Sequence, residues 1–323
     1  MNIPTHPYRL LTRSDMDGVV CAVLLKELGL LGDIVFHHPK DIQDGKVSVT
    51  PHDILANLPY VPGCAFCFDH HASEAMRNAG QANPGLVLQP DAKSAARVVY
   101  NYFGGKAAFG HISAAMMDAV DKADSAGFSR DDVLAPQGWD LLSFLMDART
   151  GLGRFREFRV SNYQLMMMLI NWCRDMPVQD ILALPDVAQR VELFFAQHAL
   201  FRAQLQRVAK VYGKLVVLDL RDEETIFAGN RFVVYAMFPQ CDVSMHVLWG
   251  RDKRNTVYTV GKSIFDRGNP VDVGGLMLQH GGGGHHAAGT CQGPNDTAEA
   301  LKQQLIDALL ALSAQQSGGR LAA

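Results

Sequence analysis

The chain lacks a long apolar run, a leader pattern and a dense cysteine framework. No apolar stretch reaches the roughly 18 residues that a membrane-spanning helix needs. The opening residues, MNIPTHPYRLLTRSD, do not show the charged and then apolar pattern of a signal peptide. Six cysteines are scattered over 323 residues, which is typical of a reducing compartment. We therefore expect a cytoplasmic protein without a membrane partner.

An excess of basic residues is also missing. The chain has 30 Lys and Arg residues against 33 Asp and Glu residues, a net charge of −3 at pH 7. Proteins that coat long nucleic acid depend on a broadly basic surface, so we expect no long nucleic acid as a partner. A short oligonucleotide or dinucleotide needs only a few cationic contacts and suits this chain better.

In the first half of the chain, strand-length segments alternate with helix-length segments. YRLLTRSD is typical of a strand, and GVVCAVLLKELGL has the apolar spacing of a helix that stops at Gly29. DIVFHH, DILANLPY and CAFCFDHH are further strand-length apolar runs. The alternation predicts an α/β domain at residues 1–195, with a mainly parallel sheet flanked by helices.

The second half predicts a helical connector and a smaller domain. WDLLSFLMDA, NYQLMMMLINWC and VELFFAQHALFRAQLQRVAKVY carry broad apolar faces typical of helices, and we place a helical linker at 196–212. KLVVLDL, FVVYAM, VSMHVLW and TVYTVGKSI are typical of strands, whereas VDVGGLMLQH and TAEALKQQLIDALLALSA are typical of helices. We predict a smaller α+β domain at residues 213–323.

Two acidic groups are candidates for a metal site. Asp15 and Asp17 follow a predicted strand in TRSDMDGVV and repel each other unless a cation or protons neutralise them. A divalent ion is the simplest resolution, although one of the two can instead cap the next helix. Asp121 and Asp124, in DAVDKADSAGF, share one helical face, and alone they indicate only a solvated helix end.

The stretch CFDHHASE places three metal-binding or proton-handling side chains next to one another. Asp69, His70 and His71 end an apolar run of strand length. Taken alone, the triplet is equally compatible with a polar turn. In an α/β domain, however, the carboxyl ends of the strands are the expected place for chemistry, and this triplet falls at such an end.

Four consecutive glycines and two histidines near the C-terminus predict an anion site. Glycines in LMLQHGGGGHHAAGT expose backbone N–H groups that can surround a phosphate, although a glycine run alone can be a flexible loop. The candidate substrate-binding residues of this turn are Gly282, Gly283, Gly284, His285 and His286.

A second group of candidate substrate contacts precedes the glycines. Lys262, Ser263 and Arg267, in TVGKSIFDRGN, carry donors that suit a terminal phosphate or a base edge. Such residues are also ordinary on a protein surface, so both interpretations stay open.

The motifs occur together and in order: DMDG, DHH, DKADSAGF and GGGGHHAAG. In this combination they resemble the DHH family of phosphoesterases with its DHH-associated C-terminal domain. RecJ-type exonucleases, nanoRNases, cyclic-dinucleotide phosphodiesterases, family II pyrophosphatases and exopolyphosphatases share the first domain. The resemblance covers almost the whole chain and looks closest to the small members that degrade nanoRNA or are exopolyphosphatase-like.

The resemblance implies a dinuclear metal site, usually of Mn²⁺, with Mg²⁺ or Co²⁺ as other candidates. Asp15 and Asp17 would each hold one ion, and His70 would join Asp17 on the second. Asp124 would complete the shell of that ion, with Asp121 as a further candidate ligand.

The resemblance also implies catalytic roles. Asp69 would orient the histidines, and His71 would hydrogen-bond the scissile phosphate and protonate the leaving oxygen. The metal would lower the pKa of a bound water, so no protein nucleophile is required. The GGGGHH segment would hold the rest of the substrate.

Two positions depart from the pattern of the family. Arg13 stands where a His or Asp is common, and Asn57 stands at the best match to an Asp that bridges both ions. An asparagine coordinates through its carbonyl oxygen but brings no charge, so the first ion would bind more weakly. Alternatively, Arg13 is a catalytic clamp for a substrate phosphate, and the site relies on one tightly held ion.

The sequence therefore predicts a metal-dependent phosphodiester hydrolase. It would release mononucleotides from very short oligoribonucleotides or from linear dinucleotides such as pGpG. An exopolyphosphatase or pyrophosphatase is the alternative among enzymes, and a weakly active nucleotide-binding sensor is the alternative outside them. The exact substrate, the number of metal ions and a homodimeric state stay open.

Overall fold

The computed structural model describes residues 7–314, which form two compact units. Residues 7–128 and 136–193 make up the first unit, and residues 129–135 and 194–314 make up the second. The predicted domain bounds, 1–195, 196–212 and 213–323, stay a prediction, and residues 1–6 and 315–323 lie outside the described part.

The first unit is built on a five-stranded parallel sheet in the order β2–β1–β3–β4–β5. Its strands are β1 (Tyr8–Thr12), β2 (Leu31–Phe36), β3 (Asp53–Ala56), β4 (Phe66–Asp69) and β5 (Leu86–Leu88). The helices of the first part of the chain are α1 (Met16–Glu27), α2 (Pro39–Gln43), α3 (Ala72–Arg77), α4 (Ala95–Tyr102), α5 (Ala114–Asp124), α6 (Arg130–Leu134), α7 (Gly138–Met146), α8 (Asn162–Asp175), α9 (Val178–Ala183) and α10 (Pro185–Val208). The predicted α/β class and parallel sheet are confirmed.

Helix α1 lies at the centre of the first unit. Every residue from Met16 to Leu25 is buried, because neighbouring helices and the sheet cover all of its faces. Gly18 makes its close approach to β1 possible, since a Cβ atom there would lie 2.0 Å from the carbonyl oxygen of Arg13. The sequence DMDG thus turns directly from a buried strand into a buried helix.

The carboxyl ends of three neighbouring strands bring the sequence motifs together. β1 ends at Thr12, β3 at Ala56 and β4 at Asp69, and the three strands run in the same direction. The Thr12 hydroxyl donates to the Ala56 carbonyl oxygen at 2.9 Å, which ties two of these ends to each other. The residues that follow each strand therefore lie along one edge of the sheet.

The second unit contains a mixed six-stranded sheet in the order β10–β11–β9–β8–β7–β6. β7 and β8 are parallel, and the other neighbours are antiparallel. Its strands are β6 (Ala209–Tyr212), β7 (Leu215–Asp219), β8 (Val243–Trp249), β9 (Thr256–Lys262), β10 (Gly283–His285) and β11 (Ala288–Gly293). Its further helices are α11 (Val233–Met237), α12 (Val273–Gln279) and α13 (Ala298–Ala314). Apolar residues of α12 and α13 join the sheet in one buried core, as predicted for a smaller α+β domain.

The segment FVVYAM is not the strand that its composition predicted. It forms helix α11, because the Asn230 side chain accepts from the Phe232 N–H at 2.9 Å and the Asn230 carbonyl accepts from Val233 N–H at 3.0 Å. A short apolar run does not distinguish helix from strand, so the turn at Asn230 decides.

No helix within residues 7–314 combines the length and the apolar character that crossing a membrane requires.

Candidate active site

Asp15 is held by three groups at the start of α1. Its Oδ1 accepts from the Gly18 N–H at 3.0 Å and from the Asn57 side-chain amide at 3.3 Å. Its Oδ2 lies 3.1 Å from the Nε of Arg13. Asp15 is therefore the helix cap that the sequence left open as an alternative, and it forms an ion pair as well.

Asp17 lies in the first turn of α1 and is buried. Its two carboxylate oxygens accept from the backbone N–H groups of Ala95 and Ala96, at 2.9 and 2.8 Å, at the first turn of α4. Burial raises the pKa of Asp17, and the negative charge of Asp124 raises it further. A cation beside these carboxylates would offset that repulsion.

His70 connects this cluster to the end of β4. Its Nδ1 lies 3.1 Å from the carbonyl oxygen of Ala92, and because a carbonyl only accepts, Nδ1 carries the proton. Its Nε2 lies 2.9 Å from the Oδ2 of Asp124. Burial, the largest single effect, would lower the pKa of His70, but the hydrogen bond and charge of Asp124, together with the charge of Asp17 and the contact with Ala92, raise the pKa to about 9.

Asp17, His70 and Asp124 form a metal-binding geometry. One ligand atom of each lies within 4.8 Å of those of the other two. Asp69, His70 and His71 form a second such group among the described residues. The first group combines carboxylate oxygen with imidazole nitrogen, a donor set that suits Mn²⁺, Mg²⁺ and similar ions.

Asp69 orients His71. The Oδ1 of Asp69 accepts from the Nδ1 of His71 at 2.7 Å and from the backbone N–H of His70 at 2.8 Å. Burial lowers the pKa of His71, but the hydrogen bond and charge of Asp69 raise it on balance. The Asp-His-His triplet therefore contains one candidate ligand and one carboxylate–imidazole pair.

Asn57 lies at the carboxyl end of β3 with a left-handed backbone, φ 55°, which asparagine tolerates better than most residues. Its side chain is 1% exposed, and its Oδ1 has no hydrogen-bond partner in the described part of the chain. A buried carbonyl oxygen without a partner is costly, so this atom indicates that a cation or a water belongs beside it. With the donor set of Asp17, His70 and Asp124, the residues present therefore fit a divalent ion and its water.

Asp121 belongs to neither of the two groups among residues 7–314. Its Oδ1 accepts from the Ser94 hydroxyl at 2.7 Å, and its Oδ2 from the Nε of Arg97 at 2.8 Å. Both bonds tie α5 to α4. The two residues share a helix face in the sequence, and the resemblance named Asp124 first; the structure brings Asp124, and not Asp121, to His70.

Arg149 is a charged neighbour of the cluster. It belongs to the basic stretch DARTGLGRFREFRVSNYQ, whose arginines are, from the sequence alone, equally compatible with a substrate channel and with a solvated helix face. Burial lowers its pKa, but the charges of Asp147, Asp15 and Asp124 raise it on balance. Its Nε also donates to the Oδ1 of Asp147 at 2.7 Å. The basic stretch DARTGLGRFREFR was the only sequence signal, and it did not distinguish one arginine from another.

The glycines of GGGGHH form part of a hairpin. Gly283–His285 make strand β10, which pairs with Ala288–Thr290 of β11, so the predicted turn is largely a strand. A Cβ atom at Gly282 would lie 2.1 Å from the carbonyl oxygen of Thr290, and one at Gly284 would lie 2.3 Å from that of Ala288. Close packing against β11 is thus a sufficient reason for glycine at these two positions, and no ligand is needed to explain them.

Lys262 is buried in the second unit, and its ammonium meets three acceptors. These are the carbonyl oxygens of Asn269 and Val271, at 2.6 and 3.1 Å, and the Nδ1 of His286, at 3.2 Å. An ammonium has three N–H donors, so this contact set uses all of them. Lys262 therefore positions His286, and its predicted contact with substrate stays a prediction.

Ser263 and Arg267 lie in the loop after β9. The Ser263 hydroxyl oxygen accepts from the N–H groups of Phe265 and Asp266, at 3.1 and 3.3 Å, and the side chain is buried. Arg267 and His286 are exposed, as are Gly284 and His285. Ser263 therefore caps a turn, whereas the exposed residues are accessible to a ligand.

Comparisons with models of known families and with curated proteins find no match. Solved structures do match. A pGpG-specific phosphodiesterase, PggH from Vibrio cholerae, is 53% identical over 94% of this chain and 99% of that chain, with a TM-score of 0.82.

Two more distant structures share the fold. An exopolyphosphatase-related protein from Bacteroides fragilis is 11% identical over 95% of this chain and 93% of that one, with a TM-score of 0.50. RecJ from Thermus thermophilus, in complex with Mn²⁺, is 14% identical over 94% of this chain and 52% of that one, with a TM-score of 0.51. The resemblance carried by the four motifs is confirmed, and the chain belongs to the DHH family of phosphoesterases.

Proposed function

We propose that this phosphoesterase hydrolyses pGpG and similar linear dinucleotides to mononucleotides with the help of a divalent metal ion. One observation carries the proposal: Asp17, His70 and Asp124 form a metal-binding group next to an oriented His71, in a chain 53% identical to a pGpG-specific phosphodiesterase. A cytoplasmic location and a homodimeric state stay predictions.

Three side chains would hold the ion. Asp17 and Asp124 would supply carboxylate oxygens, and His70 would supply Nε2, since its Nδ1 donates to the carbonyl of Ala92. When bound, a divalent ion lowers the pKa of a water and offsets charge on the reacting phosphate. Mn²⁺ is the ion we propose, with Mg²⁺ and Co²⁺ as the alternatives to be compared.

His71 would act as the proton donor to the leaving oxygen. Asp69 accepts from its Nδ1, which fixes the ring orientation and makes Nε2 the atom that exchanges a proton with substrate. The same carboxylate also accepts from two backbone N–H groups, those of His70 and His71. Asp69 is therefore held firmly and acts through His71 as a positioning residue.

Positive charge close to the cluster suits a phosphate substrate. Arg13 pairs with Asp15, and the charge of Arg149 interacts with Asp15 and Asp124. A linear dinucleotide offers few phosphates, so a few such contacts are enough. In the second unit we keep as candidate substrate contacts the accessible residues Gly284, His285, His286 and Arg267, together with Gly282, Gly283, Lys262 and Ser263.

A comparison of four substrates tests the proposal. The full chain would be assayed with Mn²⁺, Mg²⁺ and Co²⁺ on pGpG, longer RNA, a cyclic dinucleotide and polyphosphate. We expect the fastest turnover on pGpG, its loss in His70→Ala and Asp17→Ala, and normal turnover in Asp118→Ala, a control on the exposed side of α5. Preference for polyphosphate would contradict the proposal that pGpG is the substrate. Nucleotide binding without turnover in the presence of any of the three ions would contradict the proposal that the protein is an enzyme.

A further inference from the structure

We infer that the active site holds a single divalent cation, and that the Arg13 guanidinium supplies the positive charge that neutralises Asp15. The inference rests on the proposed function, because it concerns the same metal-binding group. It adds the number of ions and a role for Arg13.

The carboxylate of Asp15 already has its partners. The helix N–H of Gly18 and the amide of Asn57 meet Oδ1, and the guanidinium of Arg13 lies 3.1 Å from Oδ2. The positive end of the α1 dipole acts on the same carboxylate. Asp15 is thus satisfied by the protein, whereas Asp17 and Asp124 repel each other inside it.

The other three ligands form a complete group without Asp15. Asp17, His70 and Asp124 offer one nitrogen and two oxygens within 4.8 Å of one another, and Asp15 is in neither metal-binding group of the described residues. A second cation bound to Asp15 would come next to the Arg13 guanidinium, which repels it. This repulsion disfavours the binding of a second ion, because Asp15 would have to be one of its ligands.

The charge and the orientation of Asn57 also favour a single ion. It is buried, it is neutral, and its N–H donates toward Asp15, as a residue that supports a carboxylate does. Its unpartnered Oδ1 can accept a hydrogen bond from a water at the site. It brings no negative charge that would hold a second ion.

The charges around the cluster balance with one ion. A histidine that binds a metal ion is neutral, so in the ion-bound state His70 adds no charge. The carboxylates of Asp15, Asp17 and Asp124 and the guanidinium of Arg13 then sum to two negative charges, since three minus one is two. This sum leaves out the Asp69–His71 pair and Arg149, whose guanidinium pairs with Asp147. One divalent cation neutralises the cluster, and two would leave it with two positive charges.

Counting the bound ions tests the inference. The full chain would be dialysed to equilibrium against Mn²⁺, and bound metal would be measured by mass spectrometry. Electron paramagnetic resonance would distinguish an isolated ion from a coupled pair. We expect one ion per chain in the wild type, with the six-line spectrum of isolated Mn²⁺.

Removing the guanidinium at position 13 and adding a carboxylate at position 57 should allow a second ion to bind. We expect two ions and a coupled spectrum in the double variant Arg13→His with Asn57→Asp, since aspartate also tolerates a left-handed backbone. Arg9→His is the matched control: Arg9 pairs with Asp53 in the same unit, at the amino-terminal part of the strands, and the count should stay at one. Circular dichroism would confirm that each variant is folded.

The outcomes separate the two proposals. Two ions of comparable affinity in the wild type would overturn the single-ion inference and leave a metal-dependent enzyme intact. No bound ion in the wild type would overturn the proposed function together with the inference. The number of ions bound by the wild type tests the single-ion inference even if the double variant does not fold. An unchanged number in a folded double variant would show that Arg13 and Asn57 do not determine how many ions bind.

Discussion

The Nδ1 of His71 lies 2.7 Å from the Oδ1 of Asp69, within a carboxylate–imidazole pair that follows directly from strand β4. The two residues are separated by His70 alone, yet His70 contacts Asp124 and Ala92. Neighbouring histidines therefore have different partners. This division supports the proposed roles of His70 as a metal ligand and His71 as a proton donor.

Replacing His71 should slow the chemical step more than it weakens binding. We expect His71→Ala to reduce kcat by a factor of roughly 10²–10⁴, the usual contribution of a general acid, with a small change in KM and an unchanged metal content. Steady-state kinetics on pGpG and metal analysis measure both. His52→Ala, which removes an exposed histidine just before β3, should leave kcat unchanged. An unaltered kcat in His71→Ala would contradict its role as proton donor.

Placing a methyl group at Gly18 should destabilise the first unit. The Cβ atom would meet the carbonyl oxygen of Arg13 at 2.0 Å, so α1 must move away from the end of β1. Overpacking of this kind costs about 1–3 kcal/mol, and we expect Gly18→Ala to lower the free energy of unfolding by that amount. Urea unfolding measures it.

Gly110→Ala is the control for this change, because the nearest atom to its Cβ would be 3.6 Å away, at ordinary contact distance. Equal stability of Gly18→Ala and the wild type would show that α1 does not need the close approach.

Lys262 should determine which nitrogen of His286 carries the proton. An ammonium donates and never accepts, so the Nδ1 of His286 accepts and Nε2 carries the hydrogen in the neutral ring. We expect ¹⁵N NMR to show the Nε2–H tautomer in the wild type and a mixture in Lys262→Met. The variant should also lose about 1–3 kcal/mol of stability, because two buried carbonyl groups lose their donor.

Lys210→Met, on the exposed part of β6, is the control and should change neither quantity. A wild-type His286 that is protonated at Nδ1 would contradict the assignment.

Stability should fall in acid through Asp219. Burial raises the pKa of Asp219, but the hydrogen bonds and the charges of Arg221 and Lys302 together outweigh it and lower the pKa from 3.8 to about 2. A lowered pKa stabilises the folded state above pH 4, and that stabilisation is lost as the pH falls from about 4 to 2. The shift corresponds to at most about 2 kcal/mol, and solvent screening reduces this to about 1 kcal/mol.

Denaturant unfolding at pH 7, 4 and 2.5 would measure this contribution. We expect Asp219→Asn to be less stable at pH 7 and to lose less between pH 4 and 2.5 than the wild type. Asp296→Asn, on the exposed surface of the same unit, should follow the wild-type curve. A wild-type slope retained in Asp219→Asn would assign the acid sensitivity to other groups.

Much of the fold followed from local pattern. The strand-length runs and the spaced apolar helices of the first half predicted the α/β class, and the parallel sheet confirmed it. FVVYAM shows the limit of such patterns, since six apolar residues suit either element and the turn at Asn230 determines the helix.

The types of residue in the candidate site could be predicted from the sequence, whereas the hydrogen-bond and ion-pair partners of those residues could not. Asp15 and Asp17 are separated by one residue, yet Asp15 caps α1 and pairs with Arg13, whereas Asp17 meets the first turn of α4. That difference depends on the approach of α4, which is 78 residues away in the chain. Sequence spacing contains no information about such an approach.

The family and the kinds of side chain at the candidate site could be predicted from the sequence, because strand ends followed by Asp and His place carboxylates and imidazoles at one edge of a parallel sheet. The folded chain shows that Asp121 and Asp124 have different partners, since one turns toward Arg97 and the other toward His70. It also pairs Arg13 with Asp15, which the sequence did not predict. Those pairings arise from contacts between distant segments, whose distances and burial no local pattern specifies.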